Sequence, residues 1–389
     1  MNRSEFLAGV GGAAGATYVD KLSAGQVAQV APYTATLRFA VVVPQSGPDA
    51  RIGRQLLEGV RAAVDEINRQ ITSFERALVY DAYDDHNTAA DATVQASFAT
   101  GNPTTQAVIG HISTGTTLAT QPAYANAQIA LIVPTVTDDR ITARGYRNVF
   151  RLPTKDSDEG GLVAAYAITT GAKAPHVVTQ DGDYGPDVAN GFVRRAGALH
   201  VVAGMTQFSV DKPDFAKTAA DVLAKTPDCV VLAGNVGDMG PLLRALRAKG
   251  YAGRFVATQG FFDAQTAKEY AKEAEGLVVS SSVPYYPLAP TALRDVQFYE
   301  QRYGALTPLA AYGYSAVQLI RLAARRTGAT NRLTMIRALA SGGNYDTVTG
   351  SYTFGPTGDV LDPNCYFYRV KDGKFAYERQ AHPSGFMLK

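Results

Sequence analysis

The stretch "TLRFAVVVPQSGPDARIGRQLLEGVRAAVDEINRQ", residues 36–70, decides the fold class. It begins with an apolar run that lacks the polar alternation of a half-exposed strand, which predicts a strand buried on both faces. Apolar residues then recur at helical spacing: Leu56, Leu57, Val60, Ala63, Val64 and Ile67. A buried strand followed by an amphipathic helix is the repeating unit of an α/β protein with a parallel sheet.

The same alternation recurs along the chain in two series. The first continues with strands at "RALVYDAYDD", "QAVIGH" and "IALIVPT", and the second with strands at "PHVVTQDG", "DCVVLAGN", "RFVATQG" and "LVVSSSV". Three helices are then predicted between residues 292 and 343, followed by short antiparallel strands with a hairpin turn at Asp372 and Gly373. Because no low-complexity linker separates the two series, we predict two lobes joined by short crossings.

Length, charge and cysteine content narrow the class of protein. A chain of 389 residues exceeds one typical core, so two domains are expected. The 37 Lys and Arg against 35 Asp and Glu give a net charge of +2, which does not favour binding of nucleic acid. Cys229 and Cys365 are compatible with buried thiols or with one disulfide. The five histidines lack metal-ligand spacing, so we expect no metal and no cofactor.

Residues 1–25 have the layout of an export signal, with one Arg, a weakly apolar run from Phe6 to Ala16 and an Ala-x-Ala-like end. The segment "NRSEFLAG" resembles a twin-arginine leader in which Ser4 stands where the second Arg belongs. A disordered N-terminal tail is the alternative. The export signal predicts a periplasmic or other extracytoplasmic location.

Polar clusters follow several predicted strands, where parallel sheets bind ligands. In "AVIGHISTGTT", residues 107–117, hydroxyl groups gather between a strand and a helix. Similar loops are "PTVTDD", "GDYGPD", "NVGDMG" and "QGFFDA". Hydroxyls and backbone N–H groups at the positive end of a helix dipole suit a carboxylate. The alternative is that Ser113 or Thr114 only caps the helix.

Common catalytic motifs are not found. A nucleophile elbow requires glycine two residues before the serine, but that position before Ser113 is occupied by His111. The sequence has no phosphate-binding G-x-x-x-x-G-K-[ST] loop and no evident His beside a Ser or Cys. We therefore predict a binding protein, with an enzyme as the less favoured alternative.

Six stretches together resemble the periplasmic leucine/isoleucine/valine-binding protein family, the solute receptors of branched-chain amino-acid ABC importers. They are "VVVPQSGPDARIGRQLLEGVRAAVDEIN", "YDDHNTAADA", "VIGHISTGTT", "ALIVPTVTDDRITARGYRNVFRL", "DGDYGPD" and "GNVGDMGPLLRALRAKGY". The similarity extends from Thr36 to the C-terminus, with the stretches in the same order and at similar spacing.

The resemblance implies a type I periplasmic binding protein, in which two Rossmann-like lobes with parallel sheets are joined by three crossing segments. Lobe 1 would comprise residues 35–155 and 284–355, and lobe 2 residues 156–283 and 356–389. The crossings would lie near 154–157, near 281–284 and in the mid-350s. The family also implies a monomer that binds one solute between its lobes and delivers it to an ABC permease in the membrane.

The resemblance assigns ligand contacts residue by residue. Thr114, next to Ser113, would hold a ligand carboxylate. Thr135 and Thr137 stand where the family has groups that hold both the carboxylate and the ammonium. Tyr184 would contribute the pocket tyrosine. The residue that covers the ligand after the first strand would be Ile52.

The other half of the predicted site departs from the family pattern. Gln259 stands where the amino-acid receptors have a glutamate that neutralises the ligand ammonium, and Asn235 stands where some members have aromatic residues. Burying an ammonium without a carboxylate is costly, so Gln259 favours amine-free aromatic or keto acids over amino acids. Asp238 or Asp183 could replace the missing glutamate.

Phe261 is predicted to line the apolar end of the site, with core packing as the alternative. The early disulfide of the family is missing, because Asn87 and Ser113 stand at its cysteine positions. Together these features predict an exported, non-catalytic receptor for a small carboxylate-bearing solute. A cytoplasmic ligand-sensing regulator of the same fold is the alternative.

Overall fold

The computed structural model describes residues 16–17, 36–71, 76–182, 184–262, 264–284, 290–363, 365–381 and 387–388. The chain divides into two compact units. The first unit contains residues up to 136, 141–152 and 294–359, and the second contains residues 137–140, 153–293 and 360–389. The lobe boundaries inferred from the family resemblance stay a prediction.

Strands and helices alternate along most of the chain. The strands are β1 (Ala16–Thr17), β2 (Thr36–Val42), β3 (Ala77–Tyr83), β4 (Thr105–Gly110), β5 (Ala130–Val133), β6 (Val149–Arg151), β7 (Pro175–Gln180), β8 (Gly204–Phe208), β9 (Cys229–Ala233), β10 (Arg254–Ala257), β11 (Val278–Ser281), β12 (Tyr345–Thr347), β13 (Gly350–Tyr352), β14 (Cys365–Lys371), β15 (Lys374–Ala381) and β16 (Met387–Leu388). The helices are α1 (Ala50–Gln70), α2 (Ala89–Gly101), α3 (Thr114–Asn126), α4 (Arg140–Ala143), α5 (Asp156–Thr169), α6 (Gly185–Ala198), α7 (Phe215–Leu223), α8 (Val236–Ala248), α9 (Ala264–Glu269), α10 (Pro290–Tyr303), α11 (Pro308–Thr327) and α12 (Arg332–Leu339). This order confirms the predicted α/β class.

The sheet of the first unit has the strand order β1-β3-β2-β4-β5-β6. Strands β2 to β6 pair in parallel, and the short β1 pairs antiparallel with β3. Every residue of β4, β5 and β6 is buried. That burial explains why these strands appear in the sequence as apolar runs without polar alternation.

The sheet of the second unit has the order β16-β15-β14-β11-β10-β9-β7-β8. Strands β7 to β11 pair in parallel, and β14 adds antiparallel to β11. The predicted hairpin between β14 and β15 is confirmed: Lys371 pairs with Lys374, and Asp372 and Gly373 have φ values of 51° and 67°. Positive φ at both central residues is the geometry of a type I′ turn.

Helices α5 and α6 pack at unusually close range in the second unit. A Cβ placed on Gly160 would lie 1.9 Å from the Val188 carbonyl oxygen, and one on Gly191 would lie 2.2 Å from the Ser157 carbonyl oxygen. Only glycine permits this approach of two backbones. The crossing fixes the first turn of α5 relative to α6.

The pattern of "DAQTAKEYAKEAEG", residues 263–276, predicts one helix, and this prediction is too long. Helix α9 ends at Glu269, and residues 270–276 form successive turns that bury Tyr270 and Ala274 in the core of the second unit. The polar residues between "IALIVPT" and "NVFRLP" predict a loop, whereas the structure forms the short helix α4 there. Among the described residues, no helix combines the length and the apolar character that a membrane span requires.

Candidate functional site

The hydroxyl cluster of the first unit lies where β4 ends and α3 begins. Ser113 is the N-cap residue of α3, but its side chain accepts no hydrogen bond from a backbone N–H of the helix. Its hydroxyl instead lies 2.8 Å from the Thr116 hydroxyl. The Thr116 and Thr117 hydroxyls donate to the Ser113 carbonyl, at 3.0 and 2.7 Å. Within the described part of the chain, the N–H groups of the first helical turn therefore have no side-chain acceptor.

Two further hydroxyls at this edge of the sheet lack partners among the described residues. Thr114, the first residue of α3, is partly buried, and its side chain makes no hydrogen bond within the described part of the chain. The Thr135 hydroxyl oxygen is fully buried and likewise has no partner there. Since β4 and β5 are neighbours in the sheet, Ser113, Thr114 and Thr135 follow adjacent strand ends. A buried hydroxyl without a partner is costly unless a ligand or water supplies one.

A buried polar triad lies at the same strand ends. Asp85 follows β3 and places a carboxylate oxygen 2.6 Å from His111 Nδ1, while His111 Nε2 lies 3.1 Å from the Tyr124 hydroxyl. Burial and the Asp85 charge hold the pKa of Tyr124 well above its usual value. These contacts tie the ends of β3 and β4 to α3, and sequence reasoning did not find them.

The predicted site residues are divided between the two units. Ile52 lies partly buried in the first turn of α1, in the first unit with Ser113, Thr114 and Thr135. Thr137 belongs to the second unit, where its carbonyl accepts the Asp156 N–H at 3.0 Å. The remaining predicted residues also lie in the second unit: Tyr184, Asn235, Gln259 and Phe261.

A buried carboxylate lies among the site residues of the second unit. Glu159, in the first turn of α5, is only 3% exposed. One carboxylate oxygen accepts the Gln259 backbone N–H at 2.8 Å and the Ser280 hydroxyl at 2.6 Å. The other accepts the Tyr184 hydroxyl at 2.9 Å and the Gln259 side-chain amide at 3.2 Å. Glu159 thus joins two predicted site residues that lie on different elements.

The electrostatics of this cluster are governed by burial. The pKa of Glu159 is raised, because desolvation by burial outweighs the hydrogen bonds from Ser280, Gln259 and Tyr184, which lower it. Burial and the neighbouring Glu159 hold the pKa of Tyr184 well above its usual value. The phenol therefore stays protonated and donates to the carboxylate.

The strand end of β9 packs against the loop that carries Gln259. A Cβ placed on Gly260 would lie 2.6 Å from the Gly234 carbonyl oxygen and 3.0 Å from Asn235 Oδ1. Gly234 is also close to Gln180, because a Cβ on Gly234 would lie 2.2 Å from Gln180 Oε1. That oxygen is buried and has no hydrogen-bond partner among the residues the structure describes. Asn235 itself is exposed and is the N-cap residue of α8.

Phe261 does not line an open site. Its side chain is 1% exposed and packs in the apolar core of the second unit, so core packing is the correct interpretation of this residue. Its neighbour Phe262 is partly buried and stacks on Tyr368 and Phe375, with ring centroids 4.6 and 4.7 Å apart. Both phenylalanines therefore serve packing.

The two cysteines are free thiols, and both are buried. Burial raises the pKa of Cys229 to about 12 and holds that of Cys365 well above its usual value. The disulfide left open by the sequence is therefore not formed. Of the two acids considered as replacements for a glutamate, Asp238 lies in the first turn of α8, and Asp183 lies outside the described residues.

Comparison with known proteins identifies a matching family. The sequence profile of a family described as periplasmic binding protein matches residues 36–374. The chain belongs to this family. The match covers both series of strands and helices, and it confirms the resemblance drawn from the six stretches.

Relatives of this periplasmic binding protein share most of its length. The Leu/Ile/Val-binding protein homolog 3 of Brucella melitensis is 24% identical over 349 residues, covering 87% of this chain and 93% of the relative. The leucine-specific-binding protein of Salmonella typhimurium is 27% identical over 330 residues, covering 83% and 88%.

Solved structures show the same fold. An ABC transporter substrate-binding protein from Desulfitobacterium hafniense, in complex with Leu, is 25% identical and has a TM-score of 0.76, with 88% of this chain and 100% of that chain covered. The fold is thus that of a type I periplasmic binding protein. As a member of the family, the chain is a solute-binding protein, and its relatives serve ABC transporters.

Proposed function

We propose that this chain is the extracytoplasmic receptor of an ABC importer, and that it binds one small carboxylate-bearing solute between its two units without turning it over. The observation that carries the proposal is the donor-rich start of α3. Its N-terminal N–H groups have no side-chain acceptor, and the Thr114 and Thr135 hydroxyls have no partner among the described residues. A carboxylate supplies acceptors for all of these donors.

The first unit would hold the carboxylate through Ser113, Thr114 and Thr135. Ile52 would cover the apolar part of the solute. Thr137, Tyr184, Asn235 and Gln259 would approach from the second unit, in line with the family resemblance. Binding that favours one arrangement of the two units would provide the signal read by the permease.

The relatives indicate the class of solute. Their names refer to leucine, isoleucine and valine, so an amino acid or a related carboxylate is the proposed ligand class. The importer role implies an ABC permease as partner and an extracytoplasmic location, and the family resemblance implies a monomer. The predicted export signal lies almost entirely outside the described residues.

A thermal-shift series on the purified protein tests this proposal. Each amino acid is paired with its deaminated analogue, and an external dye reports unfolding because the chain contains no tryptophan. A solute at about 100 times its Kd should stabilise the protein by about 2.7 kcal/mol, which corresponds to a shift of several degrees. A shift with any small carboxylate supports the proposal. The absence of a shift with every acid of the series would contradict it.

A further inference from the structure

A network of hydrogen bonds crosses the strand ends of the first unit, and Asp85 and His111 lie at its centre. Both side chains are completely buried. Asp85 Oδ2 lies 2.6 Å from His111 Nδ1, and His111 Nε2 lies 3.1 Å from the Tyr124 hydroxyl. The His111 ring is therefore held at both of its nitrogens, whichever of the two carries the proton.

The position of the His111 ring determines where α3 begins. Only Ile112 separates His111 from Ser113, the N-cap residue of the helix. On the other side, a Cβ placed on Gly110 would lie 2.4 Å from the Val42 carbonyl oxygen, so β4 ends in close contact with β2. The backbone before His111 is thus confined, and a displaced ring would move the residues that follow it. Those residues carry the donors proposed to bind the solute carboxylate.

The second carboxylate oxygen of Asp85 extends the network to α1. Asp85 Oδ1 accepts the Asn87 backbone N–H at 3.0 Å, and the Asn87 side-chain amide donates to Asp49 Oδ2 at 2.8 Å. Asp49 is the N-cap residue of α1, and its carbonyl accepts the Ile52 N–H at 2.9 Å. The resulting strand-end network consists of Asp49, Asn87, Asp85, His111 and Tyr124. It joins the start of α1, which carries Ile52, to the start of α3.

Burial makes this strand-end network resistant to movement. Tyr124 is 0% exposed, and its phenol keeps its proton because burial and the Asp85 charge hold its pKa well above the usual value. A buried polar atom that loses its partner costs the full desolvation of that atom. Turning the His111 ring would remove a partner from Asp85 and from Tyr124 at once. The network therefore restrains the loop between β4 and α3.

We propose that Asp85 and His111 are positioning residues, which hold the start of α3 in the orientation that binds a carboxylate and couple it to the start of α1 that covers the solute. This inference rests on the proposed function, and it adds the residues that position the donors. Neither residue belongs to the predicted ligand contacts.

The first test is calorimetric titration of the wild type and of Asp85→Ser. The probes are leucine, valine, phenylalanine and isocaproic acid, each paired with its carboxamide. The serine hydroxyl can still accept the Asn87 N–H, as in an ST turn, but it is too short to reach His111. The acid should lose about tenfold in affinity and its carboxamide about threefold or less, because a carboxamide has one acceptor oxygen and depends on fewer aligned donors.

The outcomes of this titration separate the inference from the proposed function. An unchanged ratio of acid to carboxamide affinity in Asp85→Ser would overturn the inference and leave the proposed function standing. Failure of all four acids to bind to the wild type would remove the proposed function, and the inference with it.

Tyr124→Phe tests the other side of the His111 ring with a milder change. It removes one hydroxyl and leaves the stacking of the two rings in place. The ratio of acid to carboxamide affinity should again fall, by about threefold. The double variant with Asp85→Ser should lose little more than Asp85→Ser alone, since either change already frees the ring. Additive losses would contradict a shared positioning role.

Asn87→Gly interrupts the strand-end network on the side of α1. Asn87 has a φ of 55°, which glycine adopts freely, and the backbone N–H that donates to Asp85 is retained. Because this change disturbs the cover provided by Ile52 and not the donors of α3, acid and carboxamide should lose affinity by the same factor, about threefold to tenfold. Unchanged affinities would overturn the coupling between α1 and α3.

The matched controls are Asp81→Ser and Tyr314→Phe in the same unit. Asp81 is 5% exposed and pairs with Arg38, with 2.8 Å between the charged groups. Tyr314 is 2% exposed, and its hydroxyl donates to Glu66. Both changes should lower the melting temperature and leave the ratio of acid to carboxamide affinity unchanged. A ratio altered as strongly as in Asp85→Ser would show that any lost buried polar group in this unit disturbs the site, and would overturn the assignment.

Discussion

Thr114 allows a residue-scale test of the carboxylate end of the site. Its hydroxyl stands at the first position of α3 and has no partner within the described part of the chain. Thr114→Ala removes a charge-assisted hydrogen bond to the solute, and we expect a loss of about 1–3 kcal/mol in binding free energy, measured by calorimetry. Thr93→Ala is the control, because that hydroxyl donates to the Ala89 carbonyl on an exposed helix face. Equal affinity of both variants would exclude Thr114 from the site.

Glu66 predicts a pH dependence of stability that is separate from binding. This α1 side chain is 4% exposed and accepts a hydrogen bond from Tyr314 of α11. Burial, with a smaller contribution from Asp295, raises its pKa from an ordinary value near 4.5 to about 7. The folded protein therefore binds this proton more tightly than the unfolded chain. The resulting stability is fully present below pH 4.5 and is lost as the pH rises through 7.

Glu66→Gln removes this titration. From pH 5 to pH 8, the unfolding free energy of the wild type should fall by about 1–3 kcal/mol more than that of the variant, as measured by urea denaturation. Glu58→Gln, at an exposed position of α1, should retain the wild-type pH dependence. If the stability difference between Glu66→Gln and wild type is the same at both pH values, the raised pKa is wrong.

Sequence reasoning indicated the proposed donor residues more easily than the buried Glu159. Ser113, Thr114 and Thr135 follow strand ends, where parallel sheets commonly bind ligands. Glu159 lies 100 positions from Gln259 in the sequence, and only the packing of α5 brings the two together. No local pattern around Glu159 distinguishes it from an acidic residue in the first turn of any helix. Sequence reasoning therefore considered only Asp238 and Asp183 as replacements for the glutamate of the amino-acid receptors.

At the scale of elements, the α5 and α6 crossing links stability to the site. Gly160→Ala would drive a methyl group into the Val188 carbonyl, 1.9 Å away, and displace the helix turn that carries Glu159. We expect a loss of about 1–3 kcal/mol in unfolding free energy, together with weaker solute binding. At the neighbouring position, the methyl group of Gly161→Ala would lie 3.8 and 4.0 Å from Arg195 Cβ and Cγ, so the variant should be neutral or slightly stabilising. Similar denaturation midpoints for the two variants would contradict the close crossing.

Most strands and helices were predictable because their burial requires a clear pattern of apolar residues in the sequence. Strands β4, β5 and β7 are buried throughout, and α1 has a well-defined apolar face. The prediction failed where tertiary packing decides the backbone. The segment after α9 continues a helical pattern, but its Tyr270 and Ala274 reach the core through turns.

At the scale of the whole molecule, the sequence indicated the α/β class and two series of elements, and the family match confirms the class. The three helices after residue 290 belong to the first unit for almost all of their length. Hydrophobic periodicity alone could not show that the chain returns to the first unit, because the contact between α1 and α11 joins segments more than 240 residues apart. The resemblance to a known family supplied that step.

Calorimetric titration with an acid and its carboxamide tests the central claim most directly. The acid is the one that stabilises the protein most in the thermal-shift series, and the carboxamide differs from it only in the charge of that group. We predict one acid bound per chain and a carboxamide affinity at least about tenfold lower, because the donors at the start of α3 are matched to an anion. Equal affinities, or binding of neither compound, would contradict the account.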